Sequence, residues 1–340
     1  METVKVGISM GCPVGVGPEI TVRLLAKALP DAFVQPFVLG DVAVLKRCAG
    51  FLGITKQVVE WQPGEPYRKD RIQVMSLSDL PPDLEWGRPD KGTGLAMAKY
   101  IETGVQLIGE GKLDAIATCP ITKSTLRAAG YDFPGHTEML AWLCKTDTYA
   151  MMLAGSKLKV TLVTIHIPFA GVPANLTRDR IIELIAITDS ALRRDFGLAD
   201  PRIAVAGLNP HAGEGGLFGN EEAMIIEPAV KQARQEDWNV DGPFPPDTVF
   251  YKAAKGDHDA VVCMYHDQGL IPFKLLHFED GVNVTLGLPL VRTSVDHGTA
   301  YDIAGKGIAS PASLESAVLM AAEIVRNRNR NFETENWKQA

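Results

Sequence analysis

The sequence predicts an α/β fold in which chemistry gathers at the carboxyl ends of buried strands. Residues 260–265 (AVVCMY) form a short apolar run, β-branched near its start, which reads as a strand buried on both faces. Two runs of the same character, 159–165 (KVTLVTI) and 203–208 (IAVAGL), lie upstream of it. Near the N-terminus, 4–10 (VKVGISM) passes through a glycine-rich loop into a helical pattern at 20–29. Strands alternating with helices in this way make parallel sheets.

The chain's 340 residues suffice for two domains or one large α/β unit. With 46% hydrophobic and 22% charged residues, it has the balance of a soluble globular protein. A net charge of −7 without a basic run weighs against a nucleic-acid surface, although a local cluster of Lys and Arg can still receive a small anion. Cys12, Cys48, Cys119, Cys144 and Cys263 are scattered and form no CxxC pair, the usage of a reduced protein. The start runs straight into a strand pattern with no signal peptide, and no apolar run reaches the length of a bilayer span. The expectation is a cytoplasmic protein without a membrane partner.

In chain order, the loop 11–19 (GCPVGVGPE) ends in Pro18 and Glu19, residues preferred at a helix start. Such a loop can cradle an anion on backbone N–H groups or make a plain strand-to-helix turn; its spacing is not GxGxxG. Residues 34–80 continue the alternation, with a Pro-containing surface excursion at 61–67. Pro81, Pro82 and 87–89 mark a loop, 93–109 an amphipathic helix, and 114–120 a strand. Lys123 follows as a site residue or a solvated one. At 133–138 (FPGHTE) a helix opens, where His136 and Thr137 either face an anion or Thr137 acts as an N-cap. A helix over 177–194 precedes a flexible loop at 212–219, and 220–222 starts another helix. Residues 241–248 (DGPFPPDT) are too Pro-rich for regular structure, Gly269 turns the chain, and the polar end from Asn327 frays.

A histidine follows each of three buried strands: His166, His211 and His266, the last with Asp267 beside it and Lys274 close behind. In open α/β sheets, ligands bind outside the carboxyl ends of the strands. Each ring alone could simply cap its strand. The repeated placement points instead to a shared site, and three imidazoles with an open position can hold a catalytic divalent metal.

Residues 281–307 (GVNVTLGLPLVRTSVDHGTAYDIAGKG) carry a further pattern. Together with the glycine-rich start, 134–138 (PGHTE), 209–214 (NPHAGE), 243–248 and 265–269 (YHDQG), they resemble the 4-hydroxythreonine-4-phosphate dehydrogenase (PdxA) family of vitamin B6 synthesis. The resemblance spans nearly the whole chain. It implies a two-domain isocitrate/isopropylmalate dehydrogenase-like fold, with one domain of 1–135 plus 295–340 and another of 136–294. It also implies a homodimer whose active site lies in the interdomain cleft and is completed by the partner subunit. On this resemblance His166, His211 and His266 bind a divalent metal, usually zinc, with magnesium, cobalt or manganese as alternatives. His136, Thr137, Lys274, Asn283 and Arg292 bind a phosphorylated substrate. The loop with His297, Gly298, Thr299, Ala300 and Asp302 binds NAD or NADP, which accounts for the missing GxGxxG.

The implied reaction oxidises a phosphorylated 3-hydroxy acid and then releases carbon dioxide, as in pyridoxal phosphate biosynthesis. A metal that lowers the pKa of bound water from about 16 to roughly 7 can do similar work on an alcohol. Lys274 offers a point charge, Arg292 a planar fork and Asn283 a neutral donor. Lys274, Asp247 and Asp267 are the candidate catalytic residues, although either aspartate could instead orient a metal-bound histidine, the role that suits Asp267 better. One departure stands out: Cys12 occupies a place where the family usually carries an acid, and Val14 replaces a usual alanine. The lost carboxylate keeps other substrates open, namely D-threonate or D-erythronate 4-phosphate, or an aromatic cis-dihydrodiol. A metal-dependent phosphate-ester hydrolase and a non-catalytic binding module are more distant alternatives.

Overall fold

The computed structural model describes residues 2–339, with side chains described through Arg330. The chain begins β1 (Val4–Ser9), α1 (Gly17–Leu25), β2 (Val34–Gly40), α2 (Val42–Phe51), β3 (Gln57–Glu60), β4 (Arg71–Ser76), α3 (Lys91–Gly109), β5 (Ala115–Thr118), α4 (Lys123–Ala128) and α5 (His136–Leu143). It continues with β6 (Ala150–Ala154), β7 (Lys159–Leu162), α6 (Val172–Asn175), α7 (Arg178–Arg194), β8 (Ile203–Ala206), α8 (Glu227–Gln235), β9 (Val240–Phe244) and α9 (Pro246–Ala254). The last elements are β10 (Ala260–Cys263), α10 (His266–His277), β11 (Val282–Leu286), β12 (Val291–Val295) and α11 (Ala312–Gln339). Two compact units result: Met1–Thr148 with Leu288–Asn329, and Tyr149–Gly287 with Arg330–Ala340. His136, Thr137 and Arg292, which the sequence reading put in the second domain, therefore belong to the first unit.

In the first unit the strand order is β3-β4-β2-β1-β5-β12, with each neighbouring pair parallel. Val4, Val6 and Ile8 of β1 are fully buried, as a parallel strand covered on both faces requires. Asp41 caps α2 by accepting from Val44 N at 3.0 Å, and its second oxygen accepts from the Ser78 hydroxyl at 2.8 Å and Leu80 N at 3.1 Å. Trp61, expected on a surface excursion, is instead a core residue stacked on Phe37 with ring centroids 4.2 Å apart. Its indole N–H donates to Glu65 O, so even the polar edge of the ring is satisfied indoors.

The second unit orders its strands β11-β6-β7-β10-β8-β9. β11 and β7 flank β6 antiparallel, while β7, β10, β8 and β9 run parallel. Leu162, Val261, Cys263 and Phe273 lie in its core.

Residues 241–248 contain the end of β9 and the start of α9 rather than an irregular loop. β9 stands last in its strand order, where Pro243 sacrifices no central ladder bond, and Pro246 takes a first-turn position that needs no N–H. Gly269 does not turn the chain, because α10 runs straight through it. A Cβ there would come within 2.9 Å of Leu162 Cδ2 and 3.0 Å of Cys263 Sγ, so glycine lets the helix lie close on β7 and β10. α11 extends through the polar end beyond Asn327; Arg326 pairs with Asp31 at 2.6 Å and Arg328 donates to Pro289 O at 3.1 Å.

Gly269→Val forces two methyl groups into that contact. It is expected to lower stability by about 1–3 kcal/mol, read from the denaturation midpoint, with the secondary-structure spectrum retained.

Candidate active site

In the second unit, β7, β10 and β8 are neighbours and parallel, with Leu162 opposite Cys263 and Val205 opposite Val262. Their carboxyl ends therefore reach the same edge of the sheet, and the histidines that follow them begin from one place. The rings of His166 and His266 lie 5.7 Å apart, centroid to centroid. Two imidazoles sharing a tetrahedral ion, with metal–nitrogen bonds of about 2.0–2.1 Å, have centroids roughly 5–6 Å apart. This pair therefore fits a metal. His266 Nδ1 faces Asp267 Oδ1 at 2.7 Å, so its Nε2 is the ring atom not engaged by that carboxylate.

His211 is different. Among the described residues, no group of three or more His, Cys, Asp or Glu side chains stands ready around one ion. In the turn after β8, His211, Ala212, Gly213, Glu214 and Gly215 have φ of 54, 53, 78, 42 and 63°. Gln268 Oε1 accepts from Met264 N and Gln268 Nε2 donates to Gly207 O, both at 2.6 Å, tying the start of α10 to the end of β8. Lys274 lies two turns further along α10, with Nζ 5.7 Å from the Phe278 ring. Asp247 is exposed in the first turn of α9. Asn283 lies on β11, and its Oδ1 is buried without a hydrogen-bond partner.

The first unit carries a buried cation. Arg292 on β12 is 2% exposed and donates through Nε and Nη2 to Thr118 Oγ1 at 3.2 and 2.8 Å. Burial presses its pKa down to about 9 against the opposing charge of Glu138, so it remains protonated at neutral pH. Close by, burial and then the Arg292 charge hold His136 well below the ordinary histidine range. His136 Nε2 is buried with no partner. α5 starts at His136 with Gly135 as its cap, so Thr137 sits inside the helix and is not the N-cap. A guanidinium and an uncharged imidazole at a helix N-terminus are groups that could receive an anion. Lys123 is exposed at the start of α4.

The carboxyl ends of β1, β5 and β12 share an edge in the same way. There Val16 N donates to Thr299 O at 3.0 Å, joining the glycine-rich loop to the loop after β12. Tyr301 OH lies 3.3 Å from Cys12 Sγ and is also bonded to Thr122 Oγ1. Burial pushes the Cys12 thiol up, so this corner holds a neutral group. Glu19 fixes the far end of the loop: it is buried and accepts from Ala309 N at 2.8 Å and Gly307 N at 3.3 Å. His297, Gly298 and Asp302 are exposed, Thr299 and Ala300 half-buried, and Ala300 has φ 42°. The loop is thus anchored at Thr299, Gly307 and Ala309 and exposes the Asp302 carboxylate. Thr118, Tyr301 and Glu19 were missed as site-shaping residues, because their partners stand 174, 179 or 289, and 288 or 290 positions away in the chain.

The family model described as pyridoxal phosphate biosynthetic protein PdxA matches residues 32–321. A 4-hydroxythreonine-4-phosphate dehydrogenase from Desulforapulum autotrophicum is 53% identical, covering 93% of this chain and 94% of that protein. A protein from Oceanobacillus iheyensis, provisionally named a D-threonate 4-phosphate dehydrogenase, is 43% identical over 94% of this chain and 97% of its own. The crystal structure of 4-hydroxythreonine-4-phosphate dehydrogenase from Klebsiella pneumoniae superposes with a TM-score of 0.86 at 42% identity, covering 95% of this chain and all of that one.

The lowered pKa of His136 has a thermodynamic consequence. Between about pH 6.5, where an unfolded histidine titrates, and its lower folded value, the unfolded chain binds the extra proton. Stability is thus lost as pH falls below about 6.5, by up to about 1.4 kcal/mol per pH unit from this group. A His136→Gln variant should show a shallower loss between pH 6.5 and 5 in denaturation experiments at stepped pH.

Proposed function

The chain belongs to the family of the pyridoxal phosphate biosynthetic protein PdxA, and from that membership we propose that it is an NAD- or NADP-dependent oxidoreductase acting on 4-phosphooxy-L-threonine. The reaction oxidises the C3 hydroxyl to a ketone, and the resulting 3-oxo acid then releases its carboxylate as carbon dioxide. Whole-length likeness to a 4-hydroxythreonine-4-phosphate dehydrogenase carries this reading.

When bound, the nicotinamide accepts the hydride from C3, and a divalent metal, zinc foremost, polarises the C3 oxygen. The chain's own residues supply the rest. Arg292, His136, Thr137 and Asn283 bind and orient the substrate, the buried guanidinium being the donor best matched to phosphate or carboxylate. His166, His211 and His266 would hold the metal, with Asp267 orienting His266. His297, Gly298, Thr299, Ala300 and Asp302 form the cofactor loop. Asp247 takes the proton of the C3 hydroxyl as hydride departs. On decarboxylation the C1–C2 bond breaks, its electron pair moves to C2, and Lys274 returns a proton there.

A second reading, D-threonate 4-phosphate as substrate, is favoured by Cys12. An ammonium group on C2 is best met by a carboxylate, and Cys12 presents a neutral buried thiol beside Tyr301. The Oceanobacillus relative's name agrees with it.

We also propose a cytoplasmic homodimer. Ile271 and Leu275 on α10 and Phe278 at its C-cap are 61%, 83% and 78% exposed and stand at i, i+4 and i+7, an apolar stripe suited to a second copy. The five free thiols suit a reducing compartment.

With zinc and NAD or NADP, purified protein is expected to form reduced nicotinamide on 4-phosphooxy-L-threonine. Arg292→Lys should lower kcat/KM by about 100-fold, since a point charge cannot replace a two-pronged donor. Faster turnover of D-threonate 4-phosphate would select the second reading, and phosphate release without reduced nicotinamide would sink both. Leu275→Asp is expected to shift the protein from dimer to monomer in sedimentation experiments.

A further inference from the structure

We propose that Glu222 is a positioning residue that sets the place of His211. This rests on the reading of His211 as a metal ligand.

Glu222 is 2% exposed and lies at the start of a π-helical turn, Glu222–Ile226, that leads into α8. Its Oε1 accepts from Leu208 N and from Asn209 N, both at 2.7 Å. Its Oε2 accepts from Asn209 Nδ2 at 2.9 Å, and the same amide also donates to Glu221 Oε2 at 2.7 Å. One carboxylate thus gathers three N–H donors from the two residues that lead into Pro210 and His211.

The turn that follows has left-handed backbone, including the non-glycine residues His211, Ala212 and Glu214. Such residues seldom hold that conformation unless their surroundings impose it. Glu222 fills the inside of the turn. A Cβ on Gly213 would lie 2.7 Å from Glu222 Oε2, and one on Gly207 would lie 3.1 Å from Oε1. The path then reaches the paired rings, because Gly207 O accepts from Gln268 Nε2, two residues beyond His266 on α10. Glu222 consequently fixes the His211 turn against the same strand end to which the His266 helix is tied. π-turns of this kind recur at functional sites. The carboxylate touches neither substrate nor cofactor in this role; it acts through the backbone of His211.

The test is titration of metal-free protein with Co2+, following the visible absorption of the bound ion, with circular dichroism reporting folding. Wild type is expected to bind Co2+ saturably. Glu222→Ala should bind about 10–100-fold more weakly, with an altered band shape, while its far-ultraviolet spectrum is retained. Glu222→Gln should recover part of the affinity, since its carbonyl can still accept from Leu208 N and Asn209 N while its amide nitrogen opposes that of Asn209. Gly213→Ala leaves Glu222 intact but crowds its Oε2, so it should weaken Co2+ binding as well and carries the test if Glu222→Ala fails to fold. Wild-type affinity and band shape in the Glu222 and Gly213 variants would overturn the positioning role alone. Absence of Co2+ binding by wild type, or wild-type affinity in His266→Ala, would instead overturn the metal reading and this inference with it.

Discussion

Both units depend on neighbouring strands that run in the same direction. Parallel pairing sends the carboxyl ends of β7, β10 and β8 to one edge in the second unit, and those of β1, β5 and β12 to one edge in the first. Side chains far apart in the chain are therefore delivered to the same edge before any side-chain contact is made. An antiparallel partner would have sent its end the opposite way. β6, antiparallel to both its neighbours, brings no site residue.

Charge is arranged with equal economy. Arg292 is kept ionised indoors by Thr118 and Glu138, while His136 beside it is kept neutral by burial and by that same positive charge. Two adjacent protonated groups would repel each other in a low dielectric; a cation next to a neutral ring presents donors to an anion without that conflict. The Nε2 of His136 and the Oδ1 of Asn283 are buried polar atoms without a hydrogen-bond partner within the fold.

Buried acids do the work of holding loops. Asp41, Glu19 and Glu222 each accept backbone N–H groups from segments that have no ladder of their own. A carboxylate oxygen can accept several donors at once, so one side chain can anchor a loop that the sheet leaves unpaired. The loop after β12 and the turn after β8, both central to the proposed chemistry, are anchored in this way.

The strands ending before His166, His211 and His266 were legible in the sequence, because a short apolar run bounded by polar residues says much about burial and little else is needed. The helix start at Pro18 follows from local chemistry, as does the absence of a disulfide framework in five scattered cysteines. Family membership was legible too, since it resides in the order of short motifs. Long-range packing decided the rest. Whether Gly269 bends a chain or admits a helix depends on how near Leu162 and Cys263 lie, and whether Pro243 breaks a strand depends on β9 having one neighbour rather than two. Glu222 reads locally as one more acid at a helix start. Its hold on the approach to His211 exists only because the fold brings it inside a left-handed turn, where three N–H donors converge on it.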